Sequence, residues 1–170
     1  MAAPFVVRRG KAEDPMPDFV IERVAPPVAD FINHRADCGW GILAEGLAAQ
    51  ALAGSLAAVT ARDGDGRVVG FARAVGDPIY VYVQDVIVAE GRRGSGLGQR
   101  LMSELLETVA EACPHAAVML MCATGREAFY ERLGFVARPR PGFGPGMQLV
   151  RASSGVQSSP SLNCPQPPSR

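Results

Sequence analysis

Residues 83–98 read VQDVIVAEGRRGSGLG and decide the fold. A run of β-branched residues that favours a strand is followed by a loop with glycine at positions 94, 96 and 98. Apolar residues then recur at helical spacing at Leu101, Leu105 and Val109. A loop between a strand and a helix lies beside the unpaired N–H groups and the positive dipole end of that helix. The stretch therefore predicts an anion-binding turn in an α/β fold.

The loop does not fit two common phosphate-binding motifs. The dinucleotide motif would need glycine at Gln99, and a P-loop would need lysine and a hydroxyl residue at Leu97 and Gly98. From Arg93 onward the loop instead reads R-x-x-G-x-G. This is the pyrophosphate-binding signature of the GNAT superfamily of acetyl-CoA-dependent N-acetyltransferases, which the chain resembles.

Other parts of the chain extend the resemblance over roughly residues 18–151. The strand before the loop, the helix after it and the segment FYERLGF at 129–135 stand in the family's order. Many relatives have Asn and Ala seven and four residues before the tyrosine of that segment, where this chain has Ala123 and Arg126. A side-chain contact to the cofactor is therefore in doubt at these two positions.

The expected fold class is α/β, a GNAT fold with a mixed, mostly antiparallel central sheet and helices on both faces. Glycine-rich DGDG at 63–66 predicts a hairpin between two strands. Two further helices are expected to begin at Pro26-Pro27 and at Leu43. A short helix before and through Phe129 is expected to have Thr124 as its cap and to end at Gly134. The expected strands are 19–24, 55–62, 67–75, 80–88, 116–122, one from Phe135, and Met147–Val150.

The length predicts one domain, and the resemblance implies that it is a GNAT domain at 18–151. The 170 residues carry 17 basic and 17 acidic side chains, which gives no support for a nucleic-acid partner. No apolar run is long enough to span a membrane, and charged residues follow Arg8-Arg9 where a secretory signal would be apolar, so we expect a cytoplasmic protein.

Residues 1–17 and the Ser/Pro-rich tail 152–170 are expected to be flexible. The four cysteines lack metal-binding spacing, so no metal is expected. A homodimer is expected through the edge strand Met147–Val150.

The resemblance implies that acetyl-CoA is the acetyl donor and that it lies where two strands separate. It assigns the pyrophosphate to the loop and the pantetheine arm to the backbone of the preceding strand, which can also polarise the thioester carbonyl. Side chains matter little along that strand, and its valines can also be core residues. The expected cofactor-binding residues are Arg93, Gly94, Ser95, Gly96, Leu97 and Gly98 of the loop, and Val86, Ile87 and Val88 of the strand.

Two side chains are candidates for moving protons. The resemblance gives Tyr130 the role of the acid that protonates the leaving thiolate; the alternative is a core aromatic. Asp85, on a long strand of mostly apolar residues, is the candidate base, because a desolvated carboxylate binds protons more readily. It could instead pair with an arginine such as Arg73, and a water chain could replace a dedicated base. An acetyl-enzyme on Cys122 is the less favoured route, since a buried cysteine is usually inert.

The acceptor is expected between the first two helices. Trp40 could form a wall of that site or pack beneath the connection, and Arg35 and Asp37 could select the acceptor's charge or lie on a solvated face. We expect direct acetyl transfer to the primary amine of a small molecule or amino-acid-like acceptor. The alternatives are acetylation of a protein N-terminus or lysine, and a CoA-binding sensor without turnover.

Overall fold

The computed structural model describes residues 19–149 of the chain. The segments 1–17 and 152–170, for which the sequence predicts flexibility, lie outside the described residues. The chain from 19 to 149 folds around one sheet with two hydrophobic clusters.

Five strands form the sheet in the order in which they occur along the chain. The first four are mutually antiparallel and the fifth is parallel to the fourth, which confirms a mixed, mostly antiparallel sheet. The hairpin at 63–66 is also confirmed, with Gly66 at a φ of +79°. The strands are β1 (Phe19–Glu22), β2 (Ala57–Asp63), β3 (Val68–Gly76), β4 (Tyr80–Val88) and β5 (Ala117–Met119).

Helices cover both faces of the sheet, as the sequence predicts. They are α1 (Val28–Asp37), α2 (Glu45–Ala53), α3 (Leu97–Ala112) and α4 (Glu127–Glu131). Neighbouring strand residues point to opposite faces. Accordingly Ala72 packs in the cluster that contains Leu101 and Leu105 of α3, whereas Phe71 packs in the cluster that contains Phe31 of α1 and Leu52 of α2.

The predicted strands from Phe135 and at Met147–Val150 are wrong for the residues that the structure describes. After α4, the chain up to Leu149 forms only an isolated bridge between Arg140 and Phe143. Prolines at 139, 141 and 145 lack the N–H that a strand ladder requires, and the Met147 side chain gains no burial, being 91% exposed. The homodimer stays a prediction, without the edge strand on which it was based.

Two smaller expectations also differ from the structure. The strand predicted at 116–122 is shorter, because β5 ends at Met119. Thr124 does not cap α4, which begins after Arg126 without a side-chain cap. The predicted left-handed residue at Gly134 is confirmed, with a φ of +90°.

An extra residue in β4 changes which way its side chains face. Phe71 of β3 pairs with Ile87, but Arg73 pairs with Gln84, so β4 contains a β-bulge. Asp85 lies in the bulge at a φ of +49°, a conformation that aspartate adopts more readily than most residues. Before the bulge, the odd-numbered Val81 and Val83 pack toward α3. After it, the even-numbered Val86 and Val88 do so.

Candidate active site

An opening lies beside the second half of β4. The parallel pairing with β5 ends at Tyr82 and Met119, whereas β4 continues to Val88. The N–H of Ala89 donates to Val69 O at 2.9 Å, and because backbone groups alternate along a strand, the N–H and C=O of Val88 face away from β3. That side is where the two strands separate, so the backbone near Val88 borders the opening.

The glycine-rich loop reaches the same end of β4 through a single 3₁₀ turn, Glu90–Arg92. Gly94 and Gly96 have φ values of +76° and +81°, and α3 begins directly afterwards without a side-chain cap on its N–H groups. A Cβ atom added at either glycine would meet no protein atom within 4 Å. Open space therefore lies in front of the loop, and the residues present fit a pyrophosphate group.

The side chains of the loop differ in what they can contact. Arg93 is exposed, and its Nε donates to Val88 O at 3.3 Å. The Ser95 hydroxyl donates to Arg92 O at 2.7 Å. Leu97 is fully buried in the core, so its side chain does not reach the open space. Of the strand residues assigned to the cofactor, Ile87 has its side chain buried against α1 and α2, and the alternation along β4 turns its backbone N–H and C=O toward β3.

Helix α4 closes one side of the opening. A Cβ atom at Gly98 would lie 3.5 Å from Val88 Cγ2 and 3.6 Å from the Phe129 ring, so β4, α3 and α4 converge here. The Tyr130 ring packs edge-to-face against Phe129 and Phe135, with centroid distances of 4.9 and 6.0 Å. Burial raises the pKa of the Tyr130 hydroxyl to about 12. This hydroxyl therefore keeps its proton at neutral pH and is able to donate it.

Cys122 lies after β5, close enough to Tyr130 for the two groups to interact electrostatically. Burial, with the nearby Glu127 carboxylate, raises the pKa of the Cys122 thiol. The thiol donates to Ala123 O at 3.1 Å. A protonated thiol is a weak nucleophile, and this geometry favours the inert interpretation of Cys122 over an acetyl-enzyme.

Asp85 is part of a buried ion cluster. Its side chain is 2% exposed; Oδ2 accepts from Arg73 Nε at 2.6 Å and Oδ1 accepts from Arg35 Nη1. The pairing with Arg73 is one of the two alternatives that the sequence left open. The role of Asp85 as base stays a prediction, because both of its oxygens already accept a guanidinium N–H.

The second partner is Arg35, for which the sequence leaves open both a role in selecting the acceptor's charge and a place on a solvated face. It is half-buried on α1, because it lies one helical turn after Phe31, whose side chain is buried against the sheet. That spacing was the signal available for placing Arg35 on the buried side of the helix. His34 is also half-buried, with Nε2 at 3.1 Å from Val68 O.

Trp40 lies in the α1–α2 connection between Gly39 and Gly41, which have φ values of +74° and +78°. Its half-buried ring packs against the α1–α2 cluster and lies 5.3 Å from the Arg35 guanidinium. This position agrees with packing beneath the connection. A role in the acceptor site stays a prediction, and it is compatible with the contact to Arg35.

Metal and membrane features are absent from the described part of the chain. Residues 19–149 hold no cluster of three His, Cys, Asp or Glu side chains that could bind a metal ion. Within the same range, no helix has the length and apolarity needed to cross a bilayer.

Comparisons with known proteins place this geometry in a family. Residues 55–137 match the family model "Acetyltransferase (GNAT) domain". A GNAT-family acetyltransferase of Streptococcus pneumoniae is 30% identical, with a TM-score of 0.65 over 79% of this chain and 99% of that protein. The chain belongs to the GNAT family of acetyltransferases. The matched region contains β4, the loop, α3 and Tyr130, and so covers the opening.

More distant GNAT-like structures share the fold. A Staphylococcus aureus protein of unknown function has a TM-score of 0.68 at 21% identity, over 78% of this chain and 99% of that protein. Glucosamine-6-phosphate N-acetyltransferase of Arabidopsis thaliana has a TM-score of 0.61 at 15% identity, over 80% and 99%. Curated protein sequences give no significant match. The acceptor therefore has to be inferred from this chain's own residues.

Proposed function

We propose that the protein transfers an acetyl group from acetyl-CoA directly to the primary amine of a small molecule or an amino-acid-like acceptor. The observation that carries the proposal is the opening beside β4, which is bordered by a strand backbone, a glycine-rich helix N-terminus and a protonated tyrosine. Acetyl-CoA supplies a thioester, whose carbonyl carbon accepts the amine and whose thiolate leaves.

The binding roles follow from the groups that face the open space. The loop residues Gly94 to Gly98 offer backbone N–H groups and the positive end of α3 to the pyrophosphate, and the exposed Arg93 adds a positive charge. The backbone groups of segment 86–88 that face away from β3, those of Val88 among them, pair with the pantetheine arm. An N–H on the same edge of β4 can stabilise the negative charge that develops on the thioester oxygen.

The proton balance requires one donor and one acceptor. As the C–N bond forms and the C–S bond breaks, the amine loses a proton and the thiolate gains one. Tyr130 is the proposed donor because its hydroxyl is protonated at neutral pH and it lies on α4 beside the opening. The amine proton goes to Asp85 or, while both oxygens of Asp85 are held by arginines, to water in the opening.

The test is a thiol-release assay with acetyl-CoA and a panel of amines, amino acids and peptides. Release with small amines or amino acids supports the proposal. Release only with peptides would indicate protein acetylation. Calorimetric binding of acetyl-CoA without release for any acceptor would contradict an enzyme and support a CoA-binding sensor.

A further inference from the structure

The charged cluster beneath α1 has an excess of positive charge. The guanidinium groups of Arg35 and Arg73 contribute +2 and the carboxylate of Asp85 contributes −1, which leaves +1. Over residues 19–149, neither arginine forms an ion pair with a second carboxylate. Buried charges are usually matched in proteins, so an unmatched guanidinium in a family of enzymes indicates a place for an anion.

Arg35 is the member of the cluster that a solute can reach. Its side chain is 19% exposed, compared with 12% for Arg73 and 2% for Asp85. Arg73 uses its Nη1 on Ala51 O at 3.2 Å and Ser55 Oγ at 3.4 Å, whereas Nε of Arg35 is buried without a hydrogen-bond partner. Arg73 is therefore occupied by structural contacts, and Arg35 retains donors beyond the one given to Asp85.

Aromatic rings hold the Arg35 guanidinium. Its Cζ atom lies 5.5 Å from the centroid of Phe31 and 5.3 Å from that of Trp40. Rings at these distances stabilise the cation and fix its orientation. Because guanidinium N–H bonds lie in the plane of the group, a fixed guanidinium is suited to bind a planar carboxylate through two parallel hydrogen bonds.

The cluster is also close to where the reaction would occur. Asp85, which Arg35 contacts, directly precedes Val86, the first residue of the strand segment assigned to the thioester arm. Arg35 itself stands in the last turn of α1, next to the connection that carries Trp40. An acceptor whose anionic group binds Arg35 can bring its amine to that segment only if the two groups are a few bonds apart.

We propose that Arg35 binds the carboxylate of the acceptor, so that the acceptor is an amino acid or another amine with a nearby carboxylate. This inference rests on the proposed acetyltransferase function and specifies its substrate class. The bound carboxylate would bring the net charge of the cluster from +1 to zero.

The experiment compares each L-amino acid with its own carboxamide in the thiol-release assay. We expect kcat/KM to be about 10- to 100-fold higher for the acids, the range of one charge-assisted contact. Arg35→Gln should lower kcat/KM for the acids by a similar factor and leave the carboxamides within a few-fold. Arg62→Gln, which removes a partly exposed arginine paired with Glu22, is the matched control and should change neither.

Folding of the variants is checked by the melting temperature and by calorimetric acetyl-CoA binding. If Arg35→Gln does not fold, the double variant Arg35→Gln/Asp85→Asn replaces it. The double variant removes the same donors, and the cluster keeps a net charge of +1 from Arg73. Equal use of acids and carboxamides by the wild type would overturn the proposal, as would an unchanged preference in a folded Arg35 variant.

The two proposals fail in different ways. Absence of thiol release with every amine would contradict the acetyltransferase function. In that case the same acids and carboxamides are titrated calorimetrically into the CoA-loaded protein. Tighter binding of acids that is lost in the Arg35 variant supports the carboxylate site, and equal or absent binding overturns it.

Discussion

At the scale of single residues, the Tyr130 hydroxyl combines burial with a retained proton. Tyr130→Phe keeps the ring that packs against Phe129 and Phe135 but removes the proton donor. We expect kcat to fall by about 100-fold, as general acid catalysis predicts, with acetyl-CoA affinity within a few-fold of wild type. Steady-state kinetics and calorimetry measure both. Tyr80→Phe, at an exposed tyrosine, is the control, and an unchanged kcat in Tyr130→Phe would remove Tyr130 from the mechanism.

The raised pKa of Tyr130 also predicts a dependence of stability on alkaline pH. The folded protein holds this proton to a pKa of about 12, above the ordinary tyrosine value of 10.0. The stabilisation from this group is therefore complete below pH 10 and is lost as the pH rises toward 12. Chemical unfolding between pH 9 and 12 should show a smaller loss of stability in Tyr130→Phe than in wild type. Parallel curves for the two proteins would contradict the assigned burial.

Asp85 is the residue whose structural and chemical roles need to be separated. Asp85→Asn leaves Arg35 and Arg73 without their carboxylate, and breaking a buried ion pair from one side costs about 3–5 kcal/mol. We expect a clear fall in melting temperature, whereas the exposed Asp37→Asn should have little effect. The pH–rate profile of a folded Asp85→Asn variant then decides the base. Loss of the acidic limb identifies Asp85 as the base, and a retained limb indicates a structural role.

At the scale of elements, the loop before α3 can be tested with a pair of matched glycines. Gly96 and Gly66 have φ values of +81° and +79°, and a Cβ atom at either would meet no protein atom within 4 Å. Valine at either position thus imposes a similar backbone strain, about 1–2 kcal/mol. Only at Gly96 would the side chain enter the space proposed for the pyrophosphate. Gly96→Val should abolish calorimetric acetyl-CoA binding and Gly66→Val should preserve it; equal affinity in both would contradict the loop assignment.

The sequence predicts those elements whose local signals agree with their packing. Strand β4 has the predicted bounds, because its β-branched residues suit a central strand, and α3 begins one residue before the predicted Gly98. The strands expected after Phe135 are absent from the described chain because the proline content there outweighs short apolar runs. The bulge at Asp85 and the pairing with Arg35 depend on contacts between residues distant in sequence, which periodicity does not encode. The candidate cofactor loop was accessible from its motif; in the arginine cluster, the pairing of Asp85 with Arg73 was one of the alternatives and the contact with Arg35 was not.

At the scale of the whole molecule, composition leads to a prediction for the tail. Residues 152–170 contain six serines and four prolines, and so have few apolar side chains to offset the cost of ordering. A chain that ends after Arg151 should keep its melting temperature and its acetyl-CoA affinity.

Light scattering on this shorter chain measures its mass, and we expect the mass of a homodimer. A monomeric mass with intact activity would contradict the dimer, and loss of folding would contradict a dispensable tail.

The bulge in β4 has a consequence for how the protein can diverge. Both halves of the strand contribute side chains to the core beside α3, Val81 and Val83 before the bulge and Val86 and Val88 after it. Only the second half also borders the opening. A substitution after the bulge therefore changes core packing and the border of the opening together, whereas one before the bulge changes the core alone.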